Sequence, residues 1–176
     1  VSYSVMCNPD LKPEFTALYE FGFKAALTEN LGLDVNLFYK DIRDLLGVVF
    51  QSTYTAAEYA RFGNVDFGNV RGFTLSLDQR NWGPLSVAID YTYQEALGNS
   101  SDPRETANRA AAGEDPRPRQ VPLNWDQRHT LNVSVLLSRP DDYAVTGILR
   151  LASGQPYTPT LGSGFGAELE PNSGRK

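Results

Sequence analysis

The amino-acid sequence predicts an all-β chain, an antiparallel up-and-down meander that forms part of a transmembrane β-barrel. Three observations lead there. Residues 85–96 alternate without a break: Leu85, Val87, Ile89, Tyr91 and Tyr93 fall on one face of an extended strand, and Ser86, Ala88, Asp90, Thr92 and Gln94 on the other, because strand side chains repeat every two residues. A unit of this kind recurs about six times along the chain. The connections between units alternate short, long, short, long, short, the pattern of barrels with tight turns on one side of a membrane and long loops on the other.

Taken in order, Val1 to Glu14 is irregular, with Asn8-Pro9-Asp10 and Lys12-Pro13 as breakers. The first strand starts at Phe15 and sets Ala17, Tyr19, Phe21, Phe23, Ala25 and Leu27 against Leu18, Glu20, Gly22, Lys24 and Ala26; Thr28 to Leu31 turn the chain. The second climbs from Gly32, with Leu33, Val35, Leu37 and Tyr39 opposed to Asp34, Asn36 and Lys40. Its pattern blurs over Asp41 to Asp44 and resumes from Leu45 to Phe50, as a bulge or an extension beyond the bilayer would produce. Gln51 to Asp66 is expected as a polar connection. The third strand sets Phe73, Leu75 and Leu77 against Gly72, Thr74, Ser76 and Asp78, and closes through Asn81-Trp82-Gly83-Pro84 onto the fourth, Leu85 to Ala96.

The longest loop is expected from about Leu97 to Val121, with Thr106 to Ala112 suited to a single helical turn. A fifth strand runs from about Asn124 to Leu137, and Arg139 to Asp142 turn it into the sixth, Tyr143 to Ala152. There Tyr143, Val145, Leu149 and Leu151 face away from Thr146 and Arg150, and Ile148 interrupts the polar face. The tail from Gly154, rich in Gly, Pro, Ser and Thr, reads as loop.

Ten residues at about 3.3 Å each, tilted about 45°, cover roughly 23–25 Å, which matches the apolar band of about 25 Å of a membrane barrel. Composition agrees. The chain is 41% apolar and 21% charged, ordinary values for a folded chain. The mean hydropathy of -0.36 does not oppose a barrel, because lumen-facing positions dilute lipid-facing ones. No run of about 18 apolar residues is present for a membrane-crossing helix, and Val1-Ser2-Tyr3-Ser4 has no signal-peptide pattern. A net charge of -5 without a basic cluster gives no support to nucleic-acid binding. One cysteine, Cys7, excludes an internal disulfide, and with one histidine, His129, a zinc site has too few ligands.

A soluble sandwich or lipocalin-like barrel that binds sugar or lipid also alternates, with its apolar faces turned inward. Two features favour the membrane. The polar faces hold many small residues and few of the Lys/Glu pairs of a solvated sheet. Tyr19, Tyr39, Trp82, Tyr91, Tyr93 and Tyr143 gather near strand ends, where interfacial girdles sit.

Several segments resemble the carboxyl-terminal barrel of TonB-dependent outer-membrane receptors. These are Asn8-Pro9-Asp10-Leu11-Lys12-Pro13-Glu14, followed by Tyr19-Glu20-Phe21-Gly22; Leu37-Phe38-Tyr39-Lys40-Asp41-Ile42-Arg43-Asp44; Asn69-Val70-Arg71-Gly72-Phe73; Trp125-Asp126-Gln127-Arg128-His129-Thr130-Leu131-Asn132; and Ser153-Gly154-Gln155-Pro156-Tyr157-Thr158-Pro159. The likeness covers about residues 8–160 in order and spacing. It implies one partial barrel over residues 1–176, without plug domain or TonB box, from a family whose barrels have 22 strands. It further implies an outer-membrane location and TonB-driven uptake of a scarce ligand, with outer-membrane lipid, the rest of the barrel, the plug and the TonB complex as partners. A porin or adhesin is the alternative within the membrane.

No catalytic, cofactor or metal constellation is expected. Ser153 lacks a nucleophile-elbow context, and His129 has no partners spaced for catalysis or metal binding and fits a structural role at a strand start. Glu20, Lys24, Asp34, Lys40, Asp78, Asp90 and Arg150 read as lumen-facing. Contact with an external ligand is expected from the long loop, through Asn99, Asp102, Arg104, Glu114, Asp115, Arg117 and Arg119.

Overall fold

The computed structural model describes residues 5–52, 58–99, 120–140, 142–157 and 174–175. Strand β1 is Val5–Met6, β2 Phe15–Thr28, β3 Leu31–Ser52, β4 Glu58–Trp82 and β5 Leu85–Gly98. After them come β6 (Val121–Pro122), β7 (His129–Arg139), β8 (Tyr143–Ala152), β9 (Pro156–Tyr157) and β10 (Gly174–Arg175). The long strands lie in the order β2-β3-β4-β5-β7-β8, each antiparallel to the next. This is the expected up-and-down meander, with six long strands and no helix among the described residues.

Register turns the alternation into two faces. Directly opposed residues share a face, and the sheet keeps one register from β2 to β8. One row reads Ala25, Leu33, Leu77, Ile89, Val133 and Leu149; the next reads Phe23, Val35, Leu75, Tyr91, Leu131 and Leu151. No second sheet covers this apolar face among the described residues: Phe21 is 72% exposed and Val145 59%. A sandwich would bury those positions. The apolar band also runs diagonally across the rows. Tyr19 and Tyr39 share a row with Arg71 and Glu95, whereas Leu85 and Leu137 share one with Val145. Such a stagger is what tilted strands of a barrel require.

At one end the strands meet in tight turns laced to each other. Arg80 N–H donates to the Asn30 carbonyl at 2.8 Å, and Ser138 N–H to that of Pro84 at 2.8 Å. Asn81 and Gly83 take positive φ, 54° and 63°, which the β4–β5 turn needs.

At the other end the expected boundaries move. The blur at Asp41 to Asp44 is a bulge: the register shifts between Ile42 and Leu45 and again by Leu46, and Asp44 has φ 58°. The expected polar connection Gln51 to Asp66 is mostly strand, because β3 runs on to Ser52 and β4 begins at Glu58. There the two strands form a ribbon whose faces are both partly covered, so period-two polarity is lost. The fifth long strand begins at His129 rather than Asn124, because residues 123–128 fold against the sheet end. The tail contributes a small antiparallel pair, β9 with β10. The helical turn expected at Thr106 to Ala112 lies outside the described residues.

Candidate functional site

The polar face carries one continuous row across all six long strands: Lys24, Asp34, Ser76, Asp90, Asn132 and Arg150. Every second strand pair, β2–β3, β4–β5 and β7–β8, closes a side-chain contact in this row. Lys24 Nζ meets Asp34 Oδ2 at 2.9 Å, Ser76 Oγ donates to Asp90 Oδ1 at 2.6 Å, and Arg150 Nε donates to Asn132 Oδ1 at 2.9 Å. Glu20, Lys40 and Asp78 lie on the same face by register. Small neighbours, Gly22, Gly32, Ala26 and Ala88, keep this surface low. A recess of about 330 Å³ opens at its turn end, lined among others by Ala26, Gly32, Asp78 and Arg80.

Beyond the apolar rows, where the long connections begin, a charged cluster joins β4 and β5 to the segment that leads into β7. Glu95 Oε2 accepts from Arg71 Nη2 at 2.6 Å and from its Nε at 2.9 Å. The other oxygen of Glu95 meets Arg128 Nη2 at 3.0 Å, and Arg128 Nε reaches Asp126 Oδ2 at 3.2 Å. Asp126 is fully buried, and its Oδ1 accepts the Ala96 N–H at 2.9 Å. A buried carboxylate so placed holds the incoming chain against the end of β5, since losing it would leave a buried donor unmade. Leu123, also fully buried, packs with Val70 and Ala96, and Phe38 and Ile42 lie against them. On β3, Arg43 Nε donates to Asp41 Oδ2 at 2.7 Å. Side-chain hydrogen bonds, from Asp41 to Arg43 and from Glu95 to Arg71, with the attraction between the charges second, hold both guanidinium pKa values above the ordinary range.

Between this cluster and the apolar rows lies an aromatic group. Phe73 is 5.9 Å from Tyr91 and 5.8 Å from Tyr93 between ring centroids. His129, the first residue of β7, stacks on Tyr91 at 6.2 Å, and its Nδ1 lies 2.8 Å from the Tyr91 hydroxyl. The histidine thus acts as part of the strand end. Its backbone N–H is bound by Ser153 Oγ at 3.0 Å, and Gln127 Nε2 donates to the Ser153 carbonyl at 3.0 Å.

Of the residues expected to touch a ligand, Asp102, Arg104, Glu114, Asp115, Arg117 and Arg119 lie outside the described residues. Asn99 is placed, and it is 7% exposed. Its Nδ2 donates to Asp66 Oδ1 at 2.8 Å and its Oδ1 accepts the Phe67 N–H at 2.8 Å. In this state Asn99 fixes the exit of β5 to β4 rather than offering itself to a ligand. Asp126, Arg128 and Glu95 were not among the expected site residues. For Asp126 and Arg128 the signal lay in Trp125-Asp126-Gln127-Arg128-His129, which shows a segment of note but not its partner Glu95.

A family model described as TonB dependent receptor-like, beta-barrel matches residues 2–169. The chain belongs to this family. Solved structures agree on the fold. The outer membrane transporter YddB from Escherichia coli superposes with a TM-score of 0.64 at 13% identity, over 92% of this chain and 23% of that one. The ferric-catecholate import receptor Fiu from K12 E. coli, in its closed form, superposes at 0.58 with 20% identity, over 85% of this chain and 19% of that one. This receptor barrel segment therefore spans about a fifth of the length of those transporters. No curated protein sequence matches it. In this TonB-dependent-receptor segment, Asn69-Val70-Arg71-Gly72-Phe73 gains a physical reading: Val70 enters the buried cluster, Arg71 binds Glu95, Gly72 lies under the Phe38 ring, and Phe73 joins the aromatic group.

Proposed function

We propose that this chain is part of the wall of an outer-membrane receptor that imports a scarce ligand with energy delivered by TonB. In this reading the apolar face meets outer-membrane lipid, and the polar face lines a lumen that holds a plug supplied by the parent protein. The tight turns face the periplasm. The long connection between β5 and β6 faces outward, and its residues Asp102, Arg104, Glu114, Asp115, Arg117 and Arg119 contact the ligand. The observation that carries the reading is the continuous antiparallel pairing of six amphipathic strands, with rows that are apolar on one face and polar on the other, within a family of receptor barrels. Each strand reverses direction, so orientation follows from parity once one end is assigned.

The test is topology in the whole receptor. Gln120→Cys lies at the long-connection end and Glu29→Cys in a tight turn, both at exposed positions. A membrane-impermeant thiol reagent on intact cells should label the first and spare the second. Labelling of Glu29→Cys alone would invert the orientation; strong labelling of both on sealed cells would remove the membrane between them. Deleting TonB separates a receptor from a porin or adhesin, since receptor-dependent uptake should disappear with it.

A further inference from the structure

Strands β3 and β4 outrun their neighbours. The last pair of β2 with β3 is Phe15 with Arg43, and that of β5 with β4 is Gly98 with Gly68, yet β3 and β4 stay paired out to Ser52 and Glu58. The arm from Leu45 to Ser52 alone projects about 25 Å at about 3.3 Å per residue. A two-stranded ribbon is marginal by itself, so its position depends on what holds its root. That root is irregular. The register shifts twice between Ile42 and Leu46, and Asp44 there adopts φ 58°. Interrupted pairing lets a ribbon change its angle without breaking the ladder on either side.

Two asparagines hold the root from opposite sides. Asn64 Oδ1 accepts the Lys12 N–H at 2.8 Å, while its Nδ2 donates to the Lys12 carbonyl at 2.9 Å and to the Asp44 carbonyl at 2.7 Å. It thus ties the segment ahead of β2 to the irregular residue itself. The same segment is stitched further out: Val5 and Met6 pair in parallel with Ala60 and Arg61, and Asn8 Nδ2 donates to the Phe62 carbonyl at 3.0 Å. On the other side Asn99 binds Asp66 and the Phe67 N–H, and its own N–H donates to the Phe67 carbonyl at 3.2 Å. The Asp66 carboxylate lies against Gly47, where a Cβ would sit 2.5 Å from it.

We propose that the ribbon, the segment ahead of β2 and the exit of β5 form one hinged unit pivoting at Asp44. Asn64 and Asn99 are its positioning residues, and they couple the β5 exit at Asn99 to the segment around Lys12. The path is short: Asn99 to Asp66 and Phe67, along β4 to Asn64, and from there to Lys12. The coupling does not depend on which side of the membrane the ribbon faces, so it stands or falls apart from the import reading.

Hydrogen–deuterium exchange on the whole receptor in detergent micelles tests it. N99A removes contacts only at the β5 exit, yet exchange should rise about tenfold in residues 5–12 and 46–50, which Asn99 does not touch, and stay unchanged in residues 73–79. Reciprocally, N64A should speed exchange at residues 97–99. Effects confined to the mutated side in both variants would overturn the proposal. A variant that also exposes residues 73–79 has lost the wall itself; N64S and N99S are then compared, and the proposal falls if neither transmits to the far side.

Discussion

At the scale of single residues, the family motifs mark places where the backbone comes unusually close to something. Gly72 is the sharpest. A Cβ there would stand 2.1 Å from the Tyr93 carbonyl oxygen, 2.7 Å from Phe38 Cζ and 2.9 Å from Gln94 Cα. The first and last are backbone atoms and cannot step aside. Gly147 faces the apolar side of β8 with nothing within 4 Å. Gly72→Ala should therefore destabilise the folded receptor by about 1–3 kcal/mol, as overpacking does, while Gly147→Ala stays within about 0.5 kcal/mol. Urea unfolding of the purified receptor in detergent measures both, and equal midpoints would mean that Gly72 is not packed as described. Asp126 yields a second prediction. Asp126→Ala leaves the Ala96 N–H without its acceptor and Arg128 with one carboxylate fewer. A cost of about 1–3 kcal/mol is expected, with faster amide exchange centred on Ala96; a loss spread evenly over the sheet would argue against so local a role. The sequence made Gly72 and Asp126 visible as motif members, but hid their reasons, since Tyr93 reaches Gly72 only through the β4–β5 register and Ala96 meets Asp126 only where the segment ahead of β7 folds against the end of β5.

At the scale of elements, the strands that were legible are those with one apolar and one polar face along their whole length. β2 and β8 start and stop where alternation does, and every residue expected on the polar face lies there, Ile148 included, opposite Ser134. The illegible stretch was Tyr59 to Phe67. It lies on the ribbon, where Val48 and Ala60 are buried with Val5, Phe50 and Phe62 packed against them, and two register shifts break the period that the eye follows. Face assignment has its own test. Ile89 sits in an all-apolar row of six strands, whereas Ser134 shares a row with Ala26, Gly32, Asp78, Ala88 and Ile148. In the whole receptor, Ile89→Arg should cost about 2–4 kcal/mol if that row lies near the bilayer midplane, because lipid cannot solvate the charge. Ser134→Arg has small neighbours and a polar surface around it and should cost much less. Folding titrations into lipid vesicles would compare the two, and equal or reversed costs would exchange the faces and revive a soluble core.

At the scale of the whole molecule, the meander is a wall rather than a container. Among the described residues β2 pairs only with β3 and β8 only with β7, so both outer edges present unpaired N–H and C=O groups. In water such edges recruit other chains. In hydrocarbon each unsatisfied group costs several kcal/mol, which is why spanning sheets close on themselves. The six long strands among the described residues are also fewer than the eight or so of the smallest spanning barrels. The apolar face adds to the problem, with Phe21, Val145, Leu149 and Leu151 each at least half exposed. The 176 residues expressed alone should therefore not give a folded monomer in buffer, and in micelles should give edge-paired oligomers or unfolded chain. Size-exclusion chromatography with light scattering, read beside circular dichroism, distinguishes these states. A monodisperse β-rich monomer without detergent would overturn the wall reading, because it would require both edges and the apolar face to be covered from within the chain. On the proposed reading of this chain as part of a larger barrel, closure should return when it is expressed with the other strands of that barrel, and the exchange protection of β2 and β8 should then rise to that of β4 and β5.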